Sequence, residues 1–276
     1  LALAQESGVV LQRVNHAALG TIYPPVTQAV FALGHWLSPW RGTGLLAVYY
    51  VADCAVFALL IALLGRMNKS SALVLVYWWN PLCAKEIHNS LHMDILLLPF
   101  MLLFLLMLLR GRPMLAAGAL AVATAVKLWP VLLLATLAVV QRKSPRVLAL
   151  SLSIFLVLAA LLLAPMTATR LLGEASGIAA YGARWEMNDA LFMVFPWAVK
   201  HLAALGGHTL SEGEAHRGGK VIAGVILLVV MALISRHAIE RNRANGDQAT
   251  PVISATLWTI AALFLLSPTQ FPWYFT

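Results

Sequence analysis

Charge is scarce in this chain. Only 11% of its 276 residues are Asp, Glu, Lys or Arg, and just 11 are acidic. A soluble domain carries about 25% charged residues, so this one could not present a polar surface to water on every side. That excludes a soluble globular enzyme, a disordered segment and a coiled coil. Cysteine is scarce too: Cys54 and Cys83 stand alone, which excludes a disulfide framework and a cysteine-built metal cluster. Strand-like alternation is missing from the apolar stretches. Ile95–Leu109 is apolar on every side, whereas the strands of a membrane barrel alternate apolar and polar residues.

What is present is hydrophobic residue, 61% of the chain, with a mean hydropathy of +0.83. Apolar runs of about 20 residues match the thickness of a bilayer core. The expected fold is therefore all-α, a polytopic transmembrane helical bundle. Tyr23-Pro24-Pro25 opens an apolar stretch to Trp40 that is too short to span comfortably. Gly44–Leu64 reads as a full span with Asp53 near its middle. Ala72–Trp79 is broken by Asn80-Pro81, and Lys85–Asp94 is dense in polar residues. Met114–Val126 and Trp129–Val140 flank Lys127 and Pro130. Val147–Ala164, Val221–Ser235 and Val252–Leu266 complete the apolar runs.

The basic residues orient these segments. Ten of the 19 fall in four short connections: Arg66/Lys69, Arg110/Arg112, Arg142/Lys143/Arg146 and Arg236/Arg241/Arg243. With these on the cytoplasmic side, that side carries +8 and the opposite side +1, as the positive-inside rule expects. The net charge of +8 then needs no nucleic acid to explain it. This orientation makes Tyr23–Trp40 and Ala190–Leu205 interfacial or re-entrant helices on the non-cytoplasmic side. Met114–Val140 becomes a hairpin with Lys127 at its outer turn. The polar residues then converge on one face, where they are costly in lipid and mark a site.

Glu86-Ile87-His88-Asn89-Ser90-Leu91-His92-Met93-Asp94 is the densest polar cluster. On one continuous helix His88 and His92 would share a face, with Glu86 and Asp94 nearly opposite. A loop or broken helix over Asn80–Leu91, with the spanning helix starting near His92–Asp94, fits better. Asp94 or Glu86 would act as acid/base or metal ligand with His92 beside it; helix capping and an ion pair with Lys85 is the plainer alternative. His88 and His92 do not make a zincin site, which needs Glu directly after the first His; that position holds Asn89. No metal and no cofactor is expected. Lys127 either binds an anion such as phosphate or extends to the interface. Asp53 is either a structural contact or a proton-coupled group. The outer stretch Tyr181, Arg184, Trp185, Glu186, Asn188 and Asp189 mixes aromatic and hydrogen-bonding side chains, as carbohydrate sites and ordinary interfacial loops both do.

Taken in order, several segments resemble bacterial membrane glycosyltransferases of the GT-C fold. They are Thr21-Ile22-Tyr23-Pro24-Pro25; Asn80-Pro81-Leu82 followed by Glu86, Asn89, His92 and Asp94; Lys127 with Pro130; and Ser267-Pro268 followed by Pro272-Trp273-Tyr274. The chain is most similar to the polyprenyl-phosphate-mannose-dependent mannosyltransferases, glycosyltransferase family 87. The resemblance implies transfer of a hexose, mannose by analogy, from a polyprenyl-phosphate sugar to a lipid or glycan acceptor. The setting would be the periplasmic or extracellular face of a bacterial inner membrane, among membrane lipids. It implies Asp94, Glu86 and His92 as catalytic residues, and Lys127, Tyr23, Asn89, Gln270, Trp273 and Tyr274 as substrate-binding ones. In this fold the catalytic acid lies in the first outer loop. Glu6, the only acid before Tyr23, stands in unlike surroundings, so the base is expected before residue 1. By the same reading residues 1–276 are one transmembrane domain, lacking a first span and the C-terminal spans. A secondary transporter or flippase-like carrier of a lipid-linked or small anionic substrate is the alternative, but no internal repeat is visible and the polar residues gather at one face rather than the midplane.

Overall fold

The computed structural model describes residues 2–10, 20–169, 176–187, 191–245 and 249–271. Among these residues the chain is helical, and a single bridge, Met187 with Thr269, is the only β-type pairing. Four helices among the described residues are long and apolar enough to cross a membrane: Gly42–Arg66, Pro145–Met166, Glu212–Ala238 and Ala249–Leu266. A fifth candidate is the pair Pro81–Asn89 and Met93–Leu109, bent by 98° at its break. The all-α polytopic bundle expected from composition is the observed fold class. The chain divides into two compact units, Leu1–Val131 with Ala149–Gly182, and Leu132–Leu148 with Ala183–Phe275.

In the first unit, α1 is Pro25–Leu37. Its start follows from Pro24, extended before Pro25 at the first helical position, where a missing N–H costs nothing. At 13 residues α1 is about 20 Å long, too short to cross a bilayer core. α2, Gly42–Arg66, is a full-length span. The two meet through paired glycines: a Cβ on Gly44 would stand 2.1 Å from the Gly34 carbonyl oxygen, so backbone meets backbone there. α3 is the short helix Val74–Trp78. Its Trp78 packs edge-on against Phe57 of α2, with ring centroids 4.4 Å apart.

α4, Leu98–Leu109, and α5, Pro113–Val126, form the unit's core. The link between them turns at Gly111, whose φ of +67° suits a residue without Cβ. The two helices pack on each other, and Phe104, Leu106 and Leu108 of α4 and Ala116, Leu120 and Ala123 of α5 are all buried. Small residues on α5 allow close helix approach where the hydrophobic effect is absent. Arg66 at the end of α2 donates through Nε to the Leu109 carbonyl (3.2 Å), so the basic ends of α2 and α4 lie together.

In the second unit, α6 is Leu134–Gln141. α7, Pro145–Leu163, leads out of it into the first unit, where Leu158 packs beside Gly118. α8, Gly177–Arg184, belongs to the first unit as far as Gly182; in the second unit α9 is Val194–Leu205, and both are too short to span. α10 is Glu212–Asn245 and α11 is Ala249–Leu266. α10 begins nine residues before Val221, where apolar character sets in. The cause is a capping box: Ser211 Oγ accepts from the Glu214 amide (3.3 Å), and Glu214 accepts from the Ser211 amide (2.9 Å). Gly219 lets α10 press against α9, since a Cβ there would lie 2.7 Å from Pro196 Cδ.

Candidate active site

The polar cluster of the first unit is built on an irregular segment. Asn80 caps a short helix through its side chain, which accepts from the Leu82 amide (3.0 Å), and Pro81 takes the first helical position. The chain widens to a π-helix over Ala84–Asn89, a form that is rare and gathers at functional sites. It stops at Leu91, which adopts φ +56°. A bulky residue there is strained, and three features hold it. The His92 amide donates to the Glu86 carbonyl (2.9 Å). Tyr49 Oη donates to the Leu91 carbonyl (3.4 Å). Gly42 leaves room, since a Cβ there would be 3.0 Å from Leu91 Cδ1. A 3-10 turn, Met93–Leu96, then leads into α4.

This break decides which groups meet. Glu86 is buried, with 3% of its side chain exposed. It faces His92 Nε2 at 3.3 Å and the exposed Lys85 Nζ at 3.1 Å. Asp94 turns elsewhere: its Oδ1 accepts from Lys127 Nζ at 2.6 Å. Lys127 is extended where α5 ends, before the next helical turn begins at Trp129. A cation at a helix C-terminus is favoured by the peptide dipoles. Residues 33 apart in sequence are thus joined, and His92 lies two residues from the pair. The acids and histidines do not share one helical face; two carboxylate–base pairs stand side by side instead.

The Thr21–Pro25 segment reaches the same place. Thr27 Oγ1 donates to the Val126 carbonyl (2.7 Å) in a buried contact, which ties the start of α1 to the residue before Lys127. Tyr23 is half-buried and held by Gln28 Nε2 donating to its carbonyl (2.8 Å). Burial, with the Asp94 carboxylate and the Tyr181 phenol adding to it, raises the Tyr23 phenol above the ordinary tyrosine range. It therefore remains a hydrogen-bond donor at physiological pH. Tyr181 lies on α8, which starts hard against the chain before Tyr23: a Cβ on Gly177 would stand 2.0 Å from the Gly20 carbonyl oxygen.

A second polar group lies midway along α2. Asp53 accepts from Tyr77 Oη (2.7 Å) and faces His88 Nε2 at 3.4 Å. His88 stacks on Tyr50 with centroids 4.7 Å apart, and its Nδ1 is buried without a hydrogen-bond partner among the described residues. Tyr77 is raised above the ordinary tyrosine range by burial and by its bond to Asp53.

Of the remaining residues singled out from the sequence, Asn89 is exposed on the π-helical segment. Gln270 lies in the second unit, where its amide donates to the Met187 carbonyl (2.8 Å). Trp273, Tyr274, Asn188 and Asp189 fall outside the described residues. In the second unit Glu186 is bracketed by His216 Nε2 (3.1 Å) and Lys220 Nζ (3.5 Å). Those partners sit four apart on α10, the spacing that puts two side chains on one face, which is the signal that could have found them. Tyr49 and Tyr77 carried no comparable signal. A cavity of about 260 Å³ in the second unit is lined by Leu233, Ile234, His237, Pro251, Ala255 and Trp258 among others, and by none of the candidate residues.

The model of glycosyltransferase family 87 matches residues 21–268. No curated protein and no solved structure matches the chain.

Proposed function

The chain belongs to glycosyltransferase family 87, and on that premise we propose that it moves a hexose, mannose by preference, from a polyprenyl-phosphate donor to a lipid or glycan acceptor. It is an integral membrane glycosyltransferase. The proposed site faces the periplasmic or extracellular side of a bacterial inner membrane. The observation that carries the proposal is the pairing at the helix break: His92 on buried Glu86, and Asp94 on Lys127, 2.6 Å apart.

The chemistry divides between the two pairs. A sugar phosphate already has a good leaving group, so the enzyme needs a cation rather than a strong acid there. Lys127 supplies it, holding the phosphate as the sugar C1–O bond breaks. The acceptor hydroxyl forms the new bond to C1 and gives up its proton. In this reading His92, rather than the carboxylate that the family resemblance implies before residue 1, takes that proton, and Glu86 stabilises the imidazolium that results. Polyprenyl phosphate leaves, and the apolar outer faces of the helices accommodate its tail. Tyr23 and Asn89 supply hydrogen bonds to sugar hydroxyls.

The test is transfer in proteoliposomes from radiolabelled polyprenyl-phosphate mannose, with a nucleotide-linked mannose as the competing donor. The wild-type protein should use the lipid-linked sugar, and Lys127→Gln should abolish that use. Transfer from the nucleotide sugar alone, or full transfer by Lys127→Gln, would overturn the proposal.

A further inference from the structure

The Lys127 ammonium is already occupied. Its Nζ lies 2.6 Å from Asp94 Oδ1, and the two side chains are only 23% and 13% exposed. A phosphate arriving at Lys127 meets that carboxylate, and two anions a few ångströms apart in a partly dry site repel each other strongly. Both partners stand where regular α-helix gives way. Asp94 is in the 3-10 turn between the Leu91 break and α4, and Lys127 is the extended residue that ends α5. Their backbones are held by the Leu97 amide on the Asp94 carbonyl (3.0 Å) and by the Lys127 amide on the Ala123 carbonyl (3.0 Å), so the two side chains part by rotation alone, with no helix unwound. Among the described residues the remaining ionisable neighbours of Asp94 include His92, two residues before it, and the Tyr23 and Tyr49 phenols.

We infer that Asp94 is a stand-in for the donor phosphate: it neutralises Lys127 in the empty enzyme and is displaced from it when a lipid phosphate binds. This rests on the reading of Lys127 as the phosphate site. The exchange has a chemical consequence. An uncharged polyprenol cannot displace a carboxylate from an ammonium, so the pair selects for an anionic head group over the tail alone. It also couples binding to the proton-handling pair, because the displaced carboxylate is released beside His92, where negative charge favours imidazolium.

Binding of three probes distinguishes the possibilities: farnesyl phosphate, farnesol and inorganic phosphate, each followed by tryptophan fluorescence of the protein in lipid nanodiscs. Removing the competing carboxylate in Asp94→Asn should tighten farnesyl phosphate binding about fivefold or more, as expected for loss of a partly exposed ion pair. Farnesol binding should not change, and that result also reports that the variant is folded. The gain should vanish in the Asp94→Asn/Lys127→Gln double variant. Inorganic phosphate shows whether the head group alone suffices. In the wild-type protein, farnesyl phosphate should increase carbodiimide-driven labelling of Asp94 several-fold, read by mass spectrometry. Unchanged or weaker farnesyl phosphate binding in Asp94→Asn, or protection of Asp94 from labelling, would overturn the exchange while leaving Lys127 as the phosphate site. Farnesyl phosphate binding that survives Lys127→Gln would overturn the phosphate site itself.

Discussion

Replacing Glu86 with Gln isolates the proton-handling pair from the phosphate-holding one. Gln keeps the volume of a side chain that is 3% exposed, so little packing is disturbed. It removes the charge that faces His92 Nε2 at 3.3 Å. The salt bridge to Lys85 is lost as well, but Lys85 is 67% exposed and such pairs contribute at most about 1 kcal/mol. The larger effect falls on the transition state, where His92 acquires a proton and Glu86 stabilises the charge. General-base catalysis is worth about 10²–10⁴ in rate, and losing the carboxylate should forfeit about 10²-fold of it. That corresponds to about 2.7 kcal/mol in the barrier. Because Lys127 is untouched, KM for the lipid-linked donor should stay near the wild-type value while kcat falls. The assay is initial-rate transfer in proteoliposomes across donor concentration and pH. Burial holds the His92 imidazole below its ordinary range, so the wild-type rate should stay level through that range and fall only at lower pH, since the base must be neutral to accept a proton. A Glu86→Gln enzyme with normal kcat would refute the reasoning. So would a raised KM at constant kcat, which would make Glu86 a binding residue. Activity that survives both Glu86→Gln and His92→Ala but not Lys127→Gln would place proton transfer on another acid.

Five further substitutions probe the scaffold around the site. Thr27→Val removes a buried hydrogen bond to the Val126 carbonyl (2.7 Å) and should cost about 1–3 kcal/mol, seen as a lower Tm in detergent and a higher donor KM through Lys127. Asp53→Leu strands Tyr77 Oη and His88 and should lower Tm similarly, whereas Asp53→Asn keeps an acceptor for Tyr77 and should retain activity. Loss of transfer in Asp53→Asn with an unchanged Tm would mark a proton-coupled role instead. Gly44→Ala should fail to yield stable protein, because its Cβ would fall 2.1 Å from a carbonyl oxygen of α1. Gly65→Ala on the same helix meets nothing within 4 Å and should be tolerated or slightly stabilising, as thermal melts of the two would show.

The bundle was legible because hydropathy and segment length carry nearly all the information about crossing a membrane. Gly44–Leu64 was read within two residues of α2 at each end. Pro24-Pro25 marked the start of α1, and Asn80-Pro81 marked the break before the polar cluster. Where a helix extends on polar residues, apolar runs say nothing. The first turns of α10 rest on Ser211 and Glu214, whose spacing was readable as a capping box but lies outside the hydrophobic pattern. The site was legible as a set of residues and not as a set of partners. On a regular helix Glu86 and His92, six apart, face different ways. The π-helical turn and the positive φ at Leu91 bring them within 3.3 Å, and neither feature has a sequence signature. The Asp94–Lys127 contact depends on α4 and α5 returning antiparallel by nearly equal lengths, which only packing determines.

The sidedness on which the proposed function depends has its own geometric basis and its own test. Gly42 lies beside Leu91 at the break, while Arg66 at the other end of α2 bonds the Leu109 carbonyl. α2 has 25 residues, about 37 Å of helix, against a bilayer core of about 30 Å. The Asp94–Lys127 end and the Arg66–Arg110 end of the first unit are therefore about a membrane thickness apart, and the proposed orientation puts the basic end inside. Arg41 and Lys69 flank α2 and are both exposed. With Cys54 and Cys83 replaced by Ala, Arg41→Cys should react with a membrane-impermeant maleimide added outside intact cells. Lys69→Cys should react only after the membrane is opened. Labelling of Lys69→Cys from outside, with Arg41→Cys protected, would place the candidate site in the cytoplasm. A lipid-linked sugar presented at the outer face could not then reach it.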